Sequence, residues 1–244
     1  QFDTIILGGG IAGLWLLSLL RKHGFEAILL EKEGLGSGQT FASQGMIHGG
    51  IKYSLAGATT GASESIADMP LRWRSCLAGT DSVNLKGVTV LSDSYYMFSD
   101  ARLSSKLTAF FGSKAIEGRV ASVPVANYPK VFQSPSFKGL LYKLNDLVLD
   151  TRSLIAHLHH QLKDYIFEGN VSFEHTNGRV THLQLDDGLT VSADTYVLAA
   201  GKGNGELIEE LGLEVPMQLR PLHQVVVRGK TLPDLFAHAV TLRS

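Results

Sequence analysis

"FDTIILGGGIAGLWLLSLLRKHGFEAILLEKE", residues 2–33, decides the fold class. Thr4 to Leu7 is a short apolar run that reads as a buried strand, and it breaks at Gly8-Gly9-Gly10. Beyond the break Leu14, Leu17 and Leu20 recur at helical spacing, Arg21 follows, and Gly24 stands where a left-handed cap residue would close the helix. "FEAILLEK" then supplies a second buried strand. Together these make a βαβ unit, and an α/β fold is expected.

Gly8, Gly10 and Gly13 match G-x-G-x-x-G at the strand-to-helix turn. The first glycine makes the tight turn, the second lets the backbone approach a pyrophosphate, and the third lets helix and strand pack closely. The amides that open the helix, at Ile11 and Ala12, offer donors and a positive dipole end to phosphate oxygens. Glu31 closes the second strand 18 residues after Gly13, where a carboxylate accepts from ribose hydroxyls and disfavours a 2′-phosphate; Lys32 follows it. An adenine dinucleotide is the expected ligand. The fingerprint alone leaves NAD and FAD open.

A simple doubly wound NAD dehydrogenase would continue with another helix and strand, but residues 34–50, "GLGSGQTFASQGMIHGG", are loop-like, with six glycines. Such a segment can lie along an extended cofactor and offer it backbone amides and small side chains; Gly38, Gln39, Thr40, Ser43, Gln44, Gly45 and Met46 are its candidate contacts. Met46, Ile47 and Ile51 interleave the glycines, which a solvated loop would not need. His48 lies between Ile47 and the pair Gly49-Gly50.

Farther on, residues 61–78 read as an amphipathic helix in which Pro70 makes a kink or a new start. Residues 86–142 read as a separate layer, with strands at "GVTVLSD" and "SYYMFS" and a helix from Arg102 to about Phe111. "LDTRSLIAHLHHQLKD" gives a helix capped by Asp150 or Thr151. Its His157, His159 and His160 do not share a face at i and i+4 and are not read as metal ligands. From Val171 the period becomes two, with hairpin signals at Asn177-Gly178 and Asp187-Gly188. This meander leads to a strand ending Ala199-Ala200-Gly201, whose small residues allow a dinucleotide to approach, and that arrangement favours FAD over NAD.

The chain has 244 residues, 44% hydrophobic and 18% charged, with a formal net charge of −1. No basic excess is present to neutralise phosphate backbones, so nucleic acid is not an expected partner. The longest apolar stretch, Ile11 to Leu20, is about half of a membrane span; no transmembrane segment is expected, and peripheral membrane contact stays open. One cysteine, Cys76, allows no internal disulfide and suits a cytoplasmic protein.

Three stretches, "IILGGGIAGLWLLSLLRKHG…ILLEKE", "GSGQTFASQGMIHGGIKY" and "DTYVLAAGKGNGELIEELGL", resemble the FAD-dependent oxidoreductases of the D-amino-acid oxidase (DAO) superfamily. The middle one is most similar to the glycerol-3-phosphate and L-2-hydroxyglutarate dehydrogenases. The resemblance implies a Rossmann-like FAD-binding domain of glutathione-reductase type with a β-meander, at 1–78 and 145–205, and an inserted α+β substrate domain at 79–144 and 206–244. It implies FAD as cofactor, with Ala199, Ala200 and Gly201 among its contacts and Val171 at the adenine. The meander is compressed relative to the family, and the glycine-rich segment that covers the flavin ring in typical members is expected outside residues 1–244.

The resemblance further implies oxidation of a small polar CH–OH or CH–NH2 substrate, an anionic one, by hydride transfer to flavin. An amino-acid oxidase of the same architecture and a dinucleotide-binding module without catalysis are the alternatives. His48 has three open readings: a general base, a hydrogen-bonding or covalent partner of the flavin, or a satisfied structural histidine. Arg220 is the candidate for holding a carboxylate or phosphate, and Tyr53, Tyr95 and Tyr96 are further candidates for the pocket wall.

Overall fold

A computed structural model describes residues 1–51, 66–99, 119–176, 178–227, 229, 231 and 234–240. In chain order the regular elements are β1 (Phe2–Leu7), α1 (Ile11–Lys22), β2 (Ala27–Glu31), α2 (Gln39–Ala42), β3 (Met46–Ile47), α3 (Met69–Ala78), β4 (Val90–Ser92), β5 (Tyr95–Ser99) and β6 (Val120–Ser122). They continue with β7 (Leu141–Leu144), β8 (Leu147–Leu149), α4 (Thr151–Leu162), β9 (Ile166–Glu168), β10 (Val171–Thr176), β11 (Arg179–Leu185), β12 (Thr190–Val191), β13 (Ala193–Leu198), α5 (Asn204–Glu210) and β14 (Ala237–Val240). The chain divides into two compact units, one of residues 1–44, 76–88 and 150–224, the other of residues 45–75, 89–149 and 225–244.

The first unit is built on a parallel sheet of order β13-β1-β2-β9. Its two central strands, β1 and β2, are largely continuous apolar runs because both of their faces are covered, whereas the edge strands β13 and β9 carry exposed polar residues. Ile5, Leu7, Ile28 and Leu30 point to one face, where they pack with Phe173 and Leu183 of the antiparallel β10-β11-β12 meander. Leu29, one residue out of phase, points the other way toward Gly13 of α1. Helix α1 buries Gly13, Leu14 and Leu17 and packs on α4, which buries Leu154, Ile155, Leu158 and Leu162. The Asp150 carboxylate caps α4 by accepting from the Arg152 and Ser153 amides at 2.8 and 3.0 Å.

The second unit holds a four-stranded sheet, β14-β5-β7-β6, and a three-stranded sheet, β3-β8-β4. Strand β5 alternates in burial, with Tyr95, Met97 and Ser99 inward. Tyr95 and Met97 join Ile51, Leu144 and Val148 in one cluster. Tyr128, Phe132 and Leu141 form a second, lined by the Phe98 and Phe137 rings.

Several expectations are refined. The α/β class stands, with the βαβ unit and the meander where the sequence placed them. Residues 34–50 are not wholly irregular, because they hold the single turn α2 and the short strand β3. Pro70 does not kink a helix; it is the second residue of α3, where its missing N–H costs nothing. Residues 61–65 of that expected helix, the helix from Arg102 to Phe111, and Asn177 lie outside the described residues. Strand β9 was not anticipated. Ile166-Phe167-Glu168 is too short to show a period, yet pairing with Leu29, Leu30 and Glu31 makes it the edge of the parallel sheet.

Two glycines test the packing. A methyl at Gly13 would stand 2.0 Å from the Gly8 carbonyl oxygen, backbone that cannot rotate away, whereas one at Gly205 in α5 meets only the Met217 sulfur at 3.7 Å. Urea denaturation is expected to show Gly13→Ala less stable by about 2–3 kcal/mol. Gly205→Ala is expected to be more stable by up to about 0.5 kcal/mol.

Candidate functional site

The glycine turn of the first unit joins the carboxyl ends of β1, β2 and β13. Gly8 has φ +116°, a conformation that side-chain-bearing residues rarely adopt, and its N–H donates to the Leu30 carbonyl at 2.9 Å. A methyl there would also meet the Ala199 carbonyl carbon at 2.6 Å. Gly10 begins α1 without a side-chain cap, and no acidic residue stands in the first turn. The Ile11 amide donates to Thr40 Oγ1 at 3.1 Å. Among the described residues no acceptor is recorded for the amides of Ala12 and Gly13, so this helix start presents donors and a positive dipole end to an anion.

Glu31 is bound into the same turn. Its Oε2 accepts from the Gly9 amide at 2.5 Å and its Oε1 from the Glu33 amide at 2.7 Å, which leaves further lone pairs on each oxygen. Gly169, just after β9, donates to the Glu31 carbonyl at 2.9 Å, and Val171 follows two residues later, at the start of β10. The Ala199-Ala200-Gly201 end of β13 is secured by Asn204, whose Oδ1 accepts from the Ala200 amide at 2.8 Å and whose Nδ2 donates to the Leu198 carbonyl at 3.1 Å. Asn204 was missed in the sequence; its signal was an asparagine opening a helix after a glycine-rich turn.

The other expected contacts are arranged less tightly. Gly38 begins α2, Gln39 and Thr40 lie on it, and the Ser43 hydroxyl donates to the Thr40 carbonyl at 2.8 Å. Gln44 is exposed, and Lys32 pairs with Glu206 at 3.2 Å on the surface, a contact of little energetic weight. A cavity of about 580 Å3, lined by His175, Arg179, Asp194 and Tyr196 among others, lies against the meander and includes none of the glycine turn.

The second unit carries His48. Met46 and Ile47 pair with Val148 and Leu147, and the Leu149 amide donates to the Gly45 carbonyl at 2.9 Å. That register sets His48-Gly49-Gly50 beside the turn Asn145-Asp146. The Gly50 amide donates to His48 Nδ1 at 3.3 Å, which places the proton of the neutral ring on Nε2. The Gly49 amide donates to Asp146 Oδ1 at 3.2 Å.

Asp146 is 4% exposed and was not anticipated, because an Asn-Asp pair between two apolar runs reads as an ordinary surface turn. Burial pushes its carboxyl above the usual carboxylate range, while the Gly49 amide and the charges of His48 and Arg74 work in the opposite direction. Tyr95 is also raised, first by burial and then by the Asp146 charge, and its hydroxyl donates to the Ala237 carbonyl at 3.2 Å. Arg74 donates through Nη2 to the carbonyls of Asp93 and Asn145 at 2.7 and 2.9 Å.

Arg220 belongs to the first unit, not to the unit of His48; it is exposed and donates to Gln218 Oε1 at 3.4 Å. Tyr96 is half-buried on β5, and Tyr53 lies outside the described residues. His157 is engaged by Asn84 and Gln161. No described helix is long and apolar enough to cross a membrane.

The profile of the DAO family, described as FAD dependent oxidoreductase, matches residues 3–242. The chain belongs to this family. It is 45% identical over 239 residues to the probable FAD-dependent oxidoreductase PA4991 of Pseudomonas aeruginosa, covering 98% of this chain and 61% of that protein. The chain thus spans less than two thirds of that relative. The crystal structure of PA4991 superposes with a TM-score of 0.80 at 38% identity over 98% of this chain and 58% of the other. Glycine oxidase from Geobacillus kaustophilus shares the fold, with a TM-score of 0.65 at 19% identity over 87% of this chain and 59% of that one. A 53-residue stretch is 40% identical to mitochondrial glycerol-3-phosphate dehydrogenase of Saccharomyces cerevisiae, covering 22% of this chain and 8% of that enzyme.

FAD is the cofactor of the family, and the residues present suit it. The turn itself is three glycines, Gly10 supplies no side-chain cap to the helix, and an acid ends the second strand; Thr40 takes the Ile11 amide, which leaves the Ala12 and Gly13 amides as the donors to an anion.

The Asp146 shift gives a pH test. A carboxyl raised in the folded state adds stability that is fully present below its ordinary value of 3.8 and is lost as pH rises through the raised folded value. Asp146→Asn is neutral throughout. Urea titrations at successive pH values are expected to show the stability of the Asn variant gaining on the wild type as pH rises across that window; a constant difference would mean an unperturbed carboxyl.

Proposed function

We propose that this protein oxidises a small, polar, anionic CH–OH or CH–NH2 substrate with FAD by hydride transfer to the flavin, the glycine turn and Glu31 holding the dinucleotide and His48 serving the reacting end. The observation that carries this reading is the uncapped start of α1 joined to Glu31 through Gly9. A bound FAD supplies the two-electron acceptor. The chain supplies orientation and charge.

In this reading the Ala12 and Gly13 amides bind the diphosphate, and the free lone pairs of Glu31 accept from the ribose. Val171 packs at the adenine, and Gly38, Gln39, Thr40, Ser43, Gln44, Gly45 and Met46 run beside the extended cofactor. Ala199, Ala200 and Gly201 leave it room. The FAD-binding part corresponds to 1–78 and 145–205 and the substrate part to 79–144 and 206–244. The Arg220 guanidinium meets the substrate anion, a geometry to which a planar fork is suited. A hydroxyl-bearing substrate is supported by the stretch shared with the yeast glycerol-3-phosphate dehydrogenase. A cytoplasmic location fits the single, buried cysteine.

His48 has its Nδ1 engaged by the Gly50 amide, so the proton of the neutral ring is carried by Nε2. In this tautomer His48 would donate from Nε2 to the flavin; to serve as the general base it would present the other tautomer, with Nε2 bare to take the hydroxyl or amine proton while the hydride passes to FAD.

Visible absorbance tests this directly. The purified protein is expected to be yellow and to bleach on addition of glycerol 3-phosphate or a 2-hydroxy acid; bleaching by amino acids alone would indicate an amino-acid oxidase, and failure to take up FAD would leave a module without catalysis. Glu31→Ala is expected to weaken FAD binding about tenfold or more, equivalent to about 1.4 kcal/mol, in fluorescence titration. His48→Ala is expected to slow reduction of bound flavin about 10²-fold in stopped flow, and an unchanged rate would remove His48 from the chemistry.

A further inference from the structure

We propose that Asp146 is the positioning residue for His48, acting through the Gly49 amide to fix which ring nitrogen the imidazole presents. Asp146 does not belong where it is on energetic grounds alone. It is 4% exposed between Leu144 and Leu147, themselves 3% and 0% exposed, and a buried carboxylate is costly unless its bonds are made.

The bond that it makes is to the backbone of the histidine loop. The Gly49 amide meets Asp146 Oδ1 at 3.2 Å, and the next amide, Gly50, meets His48 Nδ1 at 3.3 Å. The two donors lie on consecutive peptide units that share the Gly49 Cα, so the Asp146 bond fixes the first plane and the crowding of Gly49 by Ala67 and Pro70 limits the φ and ψ that set the second. Both ends of this relay are anchored. The turn carrying Asp146 is held by Arg74, which donates to the Asn145 carbonyl at 2.9 Å. On the loop side Gly49 is pressed against neighbouring backbone, since a methyl there would stand 2.9 Å from the Ala67 carbonyl oxygen. The paired glycines are therefore needed for approach as well as for turning.

The consequence is a defined tautomer. With Nδ1 accepting, the proton of the neutral ring resides on Nε2. Asp146 touches neither substrate nor cofactor in this account. That His48 serves the reacting end rests on the function proposed above, but the positioning itself does not.

Imidazole nitrogen NMR of the FAD-bound protein, labelled with 15N-histidine and assigned by His48→Gln, separates the two. The wild type is expected to show His48 protonated on Nε2 with an acceptor Nδ1, and a Gly49 amide slow to exchange. Asp146→Asn keeps an oxygen for Gly49 and is expected to preserve both signals and flavin reduction within about twofold. Asp146→Ala is expected to mix the tautomers and to slow reduction at least about tenfold, as a displaced catalytic group does. An unchanged His48 signal in Asp146→Ala would overturn the proposal, as would an Asn variant as disturbed as the Ala variant. If Asp146→Ala does not fold, a fast-exchanging Gly49 amide in the wild type overturns it instead. A tautomer that shifts while the reduction rate stays constant supports the positioning and refutes only the catalytic role of His48.

Discussion

A methyl group on Gly13 would stand 2.0 Å from the Gly8 carbonyl oxygen, and one on Gly8 would collide with the end of β13. The close approach that these two positions permit lets α1 begin directly above the carboxyl ends of β1, β2 and β13. Moved outward by the width of a side chain, the helix would lose its packing on Leu29, and its first amides would no longer converge on the turn. Packing and anion binding thus rest on the same steric condition.

Glu31 converts that geometry into a site. Its two oxygens hold the Gly9 and Glu33 amides, so the acid is oriented before any ligand arrives. Orientation in advance reduces the entropy that binding must otherwise overcome. Asn204 does the same for the Ala199-Ala200 end of β13. The meander contributes from the opposite face: Phe173 and Leu183 seal the sheet and leave its carboxyl edge to the glycine turn.

The second unit solves a different problem, that of holding a histidine on a glycine-rich segment. Gly49 and Gly50 give the backbone its freedom, and hydrogen bonds remove that freedom again. The β3–β8 register fixes the residues before His48, the Asp146 carboxylate accepts from the amide after it, and the Gly50 amide donates to its ring. A buried carboxyl raised by desolvation and a buried tyrosine beside it are what such a low-dielectric corner produces.

The sequence by itself determined the βαβ unit, the glycine fingerprint, the acid at the end of β2, the α4 cap and the meander, because each is a local pattern within one or two elements. Family membership was legible for the same reason. Tertiary structure alone decided the rest. Strand β9 exists because β2 offers it an edge, not because three residues prefer extension. Asp146 and His48 are 98 residues apart in the chain and meet only through the pairing of β3 with β8. Nothing in a turn-like Asn-Asp pair signals burial, since burial is a property of what the rest of the chain places over it.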